Sequence, residues 1–394
     1  MPGRRKIYLD HNASCPVDPR VREAMLPLLG ENFANPSSIH RPGQRARAAV
    51  EEARASVARL LGCADEEVAF TSGGTEANNL ALRGAVAAAR LERGIERPLL
   101  VTSPTEHSCV RQTAKAMEEE GLCEVAWLPV SRREGLISLG SLREALRPGR
   151  TALVSVMLAN NETGAIQDVA AMAAMAHEAG ALFHTDAVQA AGKIPLDMKA
   201  LGADMMSVSA HKFYGPKGAG AIAVRHGAAL RAHMWGGPQE KKRRGGTENV
   251  CGIAGMGRAA ELAATEFLAA APRLAALRDS LERGILQKVE DVTIQGPSEP
   301  SRRIANTLNA AFRGCDGEAL LINLDLKGIA VSTGSACSSG LTEPSPVLMA
   351  LGMSRAEAKS ALRFSFGMEN SREDVEAVLE ILPAAVEELR RLAA

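Results

Sequence analysis

Aromatic side chains are scarce, with two Trp, two Tyr and eight Phe, or 3% of 394 residues. The 46% apolar fraction is carried instead by Ala, Leu and Val, which is enough for a large core of small and aliphatic groups. Net charge is missing as well, since 46 Lys+Arg face 46 Asp+Glu. That balance removes the electrostatic reason to expect nucleic acid or an anionic membrane as the main partner. No run of about 18 uncharged apolar residues occurs, so no membrane span is expected. The basic start, Met1-Pro2-Gly3-Arg4-Arg5-Lys6, has no apolar signal core or cleavage site behind it, and a cytoplasmic chain is expected. The cysteines (Cys15, Cys63, Cys109, Cys123, Cys251, Cys315 and Cys337) are odd in number, scattered, and free of any Cys-x-x-Cys pair. A disulfide framework and a zinc site are both disfavoured, and a reducing compartment fits.

What is present is an alternation. Short apolar runs at 68–71, 99–102, 124–128, 152–157, 181–184, 205–207 and 221–224 are separated by helical patterns such as 76–93 and 169–179. This order predicts an α/β fold, a mainly parallel seven-stranded sheet covered by helices on both faces. Beyond Gly257 the texture changes. A long charged helix over 258–289, interrupted near Pro272, leads to short strands around 292–295, 307–311 and 328–332. Ser371-Arg-Glu-Asp374 resembles a capping box opening a last helix. The expected division is a large domain of 15–257 and a smaller α+β domain of 1–14 with 258–394.

In an open parallel sheet, ligands bind at the carboxyl ends of the strands, and here those ends are polar. The first run is followed by Ser72-Gly73-Gly74-Thr75-Glu76-Ala77-Asn78, where glycines and a helix start suit a phosphate; a plain tight turn is the alternative. Others end in Asn160-Asn161-Glu162-Thr163-Gly164, in Thr185-Asp186-Ala187-Val188-Gln189 and in Ser209-Ala210-His211-Lys212. Charges buried without partners are too costly to recur by accident. The chemistry suggested is that of pyridoxal phosphate. Lys212 can form a Schiff base with the cofactor aldehyde, and Asp186 can keep the pyridine nitrogen protonated. Ser209, His211 and Thr75 can bind the phosphate. His107, in Glu106-His107-Ser108, is placed to stack on the ring or move protons, unless it is an ordinary surface histidine.

These segments together resemble the cysteine desulfurases. The likeness also covers Tyr8-Leu-Asp-His-Asn-Ala13, Gly215-Pro-Lys-Gly218, Gly246-Thr-Glu-Asn249, Ser332-Thr-Gly-Ser-Ala-Cys-Ser-Ser-Gly340 and Arg363-Phe-Ser-Phe-Gly367, essentially the whole chain. The Gly-Ser-Ala-Cys-Ser-Ser-Gly loop points to the NifS/IscS-type branch. The resemblance implies a fold-type I, aminotransferase-like homodimer with sites at the subunit interface. It implies that Lys212 holds the cofactor, Asp186 pairs with the pyridine nitrogen, and Gln189 and Asn160 contact ring substituents. His107 would stack, while Gly74, Thr75, Ser209 and His211 would bind phosphate together with Thr247 of the neighbouring subunit. Arg363 would clamp the substrate carboxylate, with help from Asn35.

The implied reaction removes sulfur from L-cysteine. Lys212 moves the α-proton, the Cys337 thiolate attacks the substrate sulfur, and L-alanine and a Cys337 persulfide result. The persulfide would pass to an acceptor or iron–sulfur scaffold protein, and a transient cluster sharing Cys337 is implied by resemblance only. Two departures stand out. Gln239-Glu-Lys-Lys242 replaces the more usual Gln-Glu-Arg-Gly, and Asn12-Ala13-Ser14-Cys15 replaces Asn-Ala-Thr-Thr. Cys15 is expected to be a bystander, Cys109 is ambiguous, and Cys63, Cys123 and Cys251 are expected to be structural. Alternatives are an aminotransferase or selenocysteine lyase on the same fold, a sulfur-relay scaffold with little turnover, and a thiol hydrolase. The last would leave Lys212 and Asp186 without a task.

Overall fold

The computed structural model describes residues 6–333 and 343–393. Its strands, in chain order, are β1 (Ile7–Tyr8), β2 (Val68–Thr71), β3 (Leu99–Thr102), β4 (Glu124–Trp127), β5 (Thr151–Ser155) and β6 (Leu182–Asp186). They continue with β7 (Met205–Ser209), β8 (Gly220–Val224), β9 (Val292–Gln295), β10 (Thr307–Phe312), β11 (Ile329–Ala330) and β12 (Ala361–Ser365). The seven-stranded sheet runs β2-β8-β7-β6-β5-β3-β4. Only β8 is inverted, antiparallel to both β2 and β7. The expected mainly parallel sheet is therefore present, and β5, β6, β7 and β8 are buried almost throughout. Strands buried on both faces need continuous apolar runs, and that is why the sequence displays them so openly.

A second sheet, β12-β10-β9, is antiparallel. Helices Ala271–Lys288 and Arg372–Ala393 pack with it around Leu281, Leu308, Phe364 and Val378. Ile7 and Leu9 join this core, because β1 pairs in parallel with β11. The long charged helix is divided otherwise than expected. Helix Val250–Leu262 passes through a π turn at Ala263–Phe267, and a new helix starts at Ala271. Pro272 sits in the first turn of that helix, where its missing N–H costs nothing, so the break lies ahead of the proline.

Candidate active site

The carboxyl ends of β2, β3, β5, β6 and β7 meet a cavity of about 540 Å³, closed on its far side by Arg363 of β12 and by Glu343, Pro344 and Val347. β2 turns sharply into helix Gly74–Glu92. Two absent side chains permit that turn. A Cβ on Gly74 would lie 2.8 Å from Val188 Cγ2, and one on Gly220 of β8 would lie 2.5 Å from Gly73 Cα. The first N–H groups of that helix, with the Thr75 hydroxyl, therefore open on the cavity. Ser209 and His211 reach it from the end of β7.

Lys212 follows in the short turn Ala210–Lys212. Its Nζ donates to the backbone oxygens of Asn12 (2.7 Å) and Ala13 (2.8 Å). Desolvation, and then the nearby Arg363 guanidinium, lower its pKa to about 8. Asp186 ends β6 and is 4% exposed. Its carboxylate accepts from Asn78 Nδ2 (2.6 Å) and from the Val188 N–H (2.9 Å). Neither partner carries a charge, and burial raises its pKa. His107 caps helix Ser108–Glu119, and the Cys109 N–H donates to its Nδ1 at 3.2 Å. That bond assigns the ring proton of neutral imidazole to Nε2, and desolvation keeps the ring neutral by lowering its pKa.

Arg363 is 2% exposed. It donates from Nη2 to Asp10 Oδ1 (2.6 Å) and from Nη1 to the Asn161 carbonyl (3.1 Å). Its Nε has no partner among the described residues. Ser332 pairs with Arg363 through two backbone hydrogen bonds, while Glu343 and Pro344 line the cavity. Both described flanks of the 334–342 segment thus stand at the site. Cys337 itself lies outside the described residues.

Two expected residues are placed differently. Asn160 does not line the cavity: its Oδ1 accepts from the N–H groups of Glu162 and Thr163, and its Nδ2 donates to Thr105 O. Its amide is consumed in shaping the turn, and Asn161, one residue on, lines the cavity with a buried Oδ1 that has no partner among the described residues. Asn35 is exposed, and its Oδ1 accepts from the Ser37 N–H (2.8 Å) in a local turn, so this chain does not bring it to the cavity. Thr247, expected to serve the neighbouring subunit's site, is exposed in this chain and does not line its cavity. Gln189 does line the cavity, tied to Asn12 and Lys193. Sequence reasoning passed over Asn12, Asn78, Asn161 and Lys193. Asn12, Asn78 and Asn161 stand inside quoted motifs, whereas nothing local marks Lys193.

The donor set fits pyridoxal phosphate. It offers a helix N-terminus for the phosphate, an uncharged-partnered buried carboxylate for a protonated ring nitrogen, and a desolvated amine for the aldehyde. The described residues hold no cluster of metal-ligating side chains.

The class-V aminotransferase family model matches residues 7–378. Cysteine desulfurase IscS of Dictyoglomus turgidum is 44% identical over 99% of this chain and 96% of its own length. The chain belongs to the cysteine desulfurase family. Among solved structures, a NifS-like protein superposes with a TM-score of 0.89 at 36% identity, over 98% of this chain and all of that one. A structure described as SspA in complex with cysteine gives a TM-score of 0.80 at 34% identity, over 92% and 99% of the two chains. The cofactor of this desulfurase family is pyridoxal phosphate, and the fold is the fold-type I architecture expected from the motifs.

Proposed function

We propose that the chain takes sulfur from L-cysteine with pyridoxal phosphate, releasing L-alanine and leaving a persulfide on Cys337. The observation that carries this reading is one cavity holding an amine lowered to about 8, a buried carboxylate with uncharged partners, and a buried guanidinium whose Nε has no partner among the described residues. When bound, the cofactor supplies an electron sink for the substrate's α-carbon. Lys212 holds it through its amine, and afterwards carries the α-proton. Only a neutral amine can accept that proton, which is what desolvation of Lys212 provides. Asp186 would keep the ring nitrogen protonated, and His107 would stack on the ring. Gly74, Thr75, Ser209 and His211 hold the phosphate, joined by Thr247 of a second copy. Arg363 offers Nε to the substrate carboxylate while Asp10 fixes its other edge.

The Cys337 thiolate attacks the substrate sulfur. The S–S bond forms as the carbon–sulfur bond breaks, and Cβ gains a proton, so cysteine and one thiol become alanine and one persulfide. Burial pushes Cys15 up to about 11 and Cys63 and Cys109 up to about 12, so these thiols are poor competitors. No described helix is long and apolar enough to cross a membrane, and a cytoplasmic setting is part of the proposal. So is a homodimer: Leu29, Phe33 and Ile39 are 67%, 81% and 91% exposed, an apolar segment that a second copy would cover. The separate cores of the two sheets support two domains, but the expected boundary at 257 falls inside helix Val250–Leu262, whose Ala259, Ala260 and Leu262 pack in the large core. Transfer of the persulfide to an acceptor or iron–sulfur scaffold completes the reading.

The test is a single turnover with L-cysteine, following visible absorbance, alanine and protein-bound persulfide. Wild type should yield both products, Cys337→Ala neither, and Lys212→Ala no cofactor absorbance. Equal alanine from Cys337→Ala would instead indicate a lyase or aminotransferase.

A further inference from the structure

Gln189 lines the cavity, yet its amide could face either way, and only one orientation offers an N–H to a bound ring. Its neighbours settle which. Lys193 Nζ lies 2.6 Å from one terminal atom, which is Oε1 because a charged lysine only donates, and the Asn12 carbonyl requires the same orientation whatever the charge. The Asn12 backbone oxygen lies 2.9 Å from the other, and a carbonyl only accepts, so that atom is Nε2. Lys193 Nζ also donates to Asn12 Oδ1 at 2.9 Å, and Asn306 Nδ2 reaches the same oxygen at 3.1 Å. Asn12 O, in turn, accepts from Lys212 Nζ at 2.7 Å. One connected set of bonds therefore runs from Lys193 through Gln189 and Asn12 to Lys212.

We propose that Lys193 is a positioning residue for the cofactor. It holds the Gln189 amide with its oxygen turned away and its second Nε2 hydrogen free for an acceptor on the ring. It does not line the cavity itself, so it would act on the ring only through Gln189. Two donor hydrogens are enough for its two acceptors, so the lock persists when the amine is neutral. That matters because desolvation lowers this lysine to about 7. The charged and titratable groups around it are Lys212, Arg363, Cys15 and His11. Without Lys193, Oε1 would have no donor, and the amide could turn and present oxygen to oxygen.

The inference rests on the pyridoxal phosphate reading, and a double-mutant cycle separates the two. Cofactor dissociation and the pH midpoint of its visible absorbance would be measured in Lys193→Met, in Gln189→Leu and in the double variant. Each single change should weaken retention about tenfold, with the double change also about tenfold rather than the hundredfold of independent losses. The pH midpoint should move in the same direction in all three. Lys193→Gln, which keeps an N–H donor, should stay within about threefold of wild type. Additive losses, an unmoved midpoint in Lys193→Met, or equal loss in Lys193→Gln and Lys193→Met would overturn the positioning role and leave the function reading standing. A wild-type chain that takes up no pyridoxal phosphate would overturn both.

Discussion

At the scale of single residues, Lys212 illustrates how stability and reactivity pull against each other. Its pKa is lowered from 10.5 to about 8. Between those values the unfolded chain binds more protons than the folded one, so stability rises with pH across that window. Below about 8 the full cost of burying the amine is present; above 10.5 it is gone. Reactivity gains what stability gives up, because a neutral amine is available more than two pH units earlier. Capture of pyridoxal phosphate by the cofactor-free protein should therefore accelerate through a midpoint near 8. Rates from stopped-flow absorbance at a series of pH values would check this, and a midpoint near 10.5 would contradict it. Lys212 and Asp186 were legible in the sequence because strand ends of a parallel sheet converge on one edge. Asn160 was misjudged because choosing between adjacent amides depends on which one the turn consumes, and that is settled by hydrogen bonds at 2.9 Å rather than by pattern.

Among elements, the loop that departs from the family's usual sequence has a visible physical cost. Glu240, Lys241 and Lys242 all have left-handed backbones, with φ of 43°, 56° and 64°. Glu240 is held there because its carboxylate accepts from Arg54 Nη1 (2.7 Å), Arg54 Nη2 (3.1 Å) and the Phe70 N–H (2.9 Å). Lys241 is tied by Nζ to Glu66 O. Lys242 occupies the position where glycine is more usual, and it is exposed. A left-handed conformation costs a residue with a Cβ roughly 1–2 kcal/mol, part of which glycine gives back in unfolded-state entropy. Lys242→Gly should thus stabilise the protein by up to about 1 kcal/mol, read from denaturant unfolding of the cofactor-free chain. Unchanged or lower stability would mean that the lysine side chain compensates elsewhere. The buried strands of the large sheet were legible to within about two residues at each end, whereas β1 and β12 were not anticipated. Two residues of β1 leave no periodicity to read, and β12 is defined by its partner β10, some fifty residues away in sequence.

On the scale of the whole molecule, one asparagine joins the two sheets' surroundings at the cavity. Asn12 is 1% exposed. Toward the smaller sheet, its N–H donates to Ser365 Oγ (3.0 Å), its Nδ2 to Thr307 Oγ1 (2.8 Å), and its Oδ1 accepts from Asn306. Toward the larger one, its Nδ2 also donates to the Asn161 carbonyl (3.0 Å), and Lys193, Gln189 and Lys212 bind its oxygens. Removing the side chain leaves several of these buried groups without a partner, at about 1–3 kcal/mol for each. Asn12→Ala should lower stability by roughly 2–4 kcal/mol, since some partners will find each other or water. The loss should also be uneven. Trp127 and Trp235 both lie on the large-sheet side of the chain, so fluorescence reports that side, while far-ultraviolet dichroism reports every helix. In wild type the two denaturation curves should coincide; in Asn12→Ala they should separate, because the link that makes the transitions one has been cut. Coincident curves with a loss under about 1 kcal/mol would place the coupling elsewhere, in the apolar contacts alone.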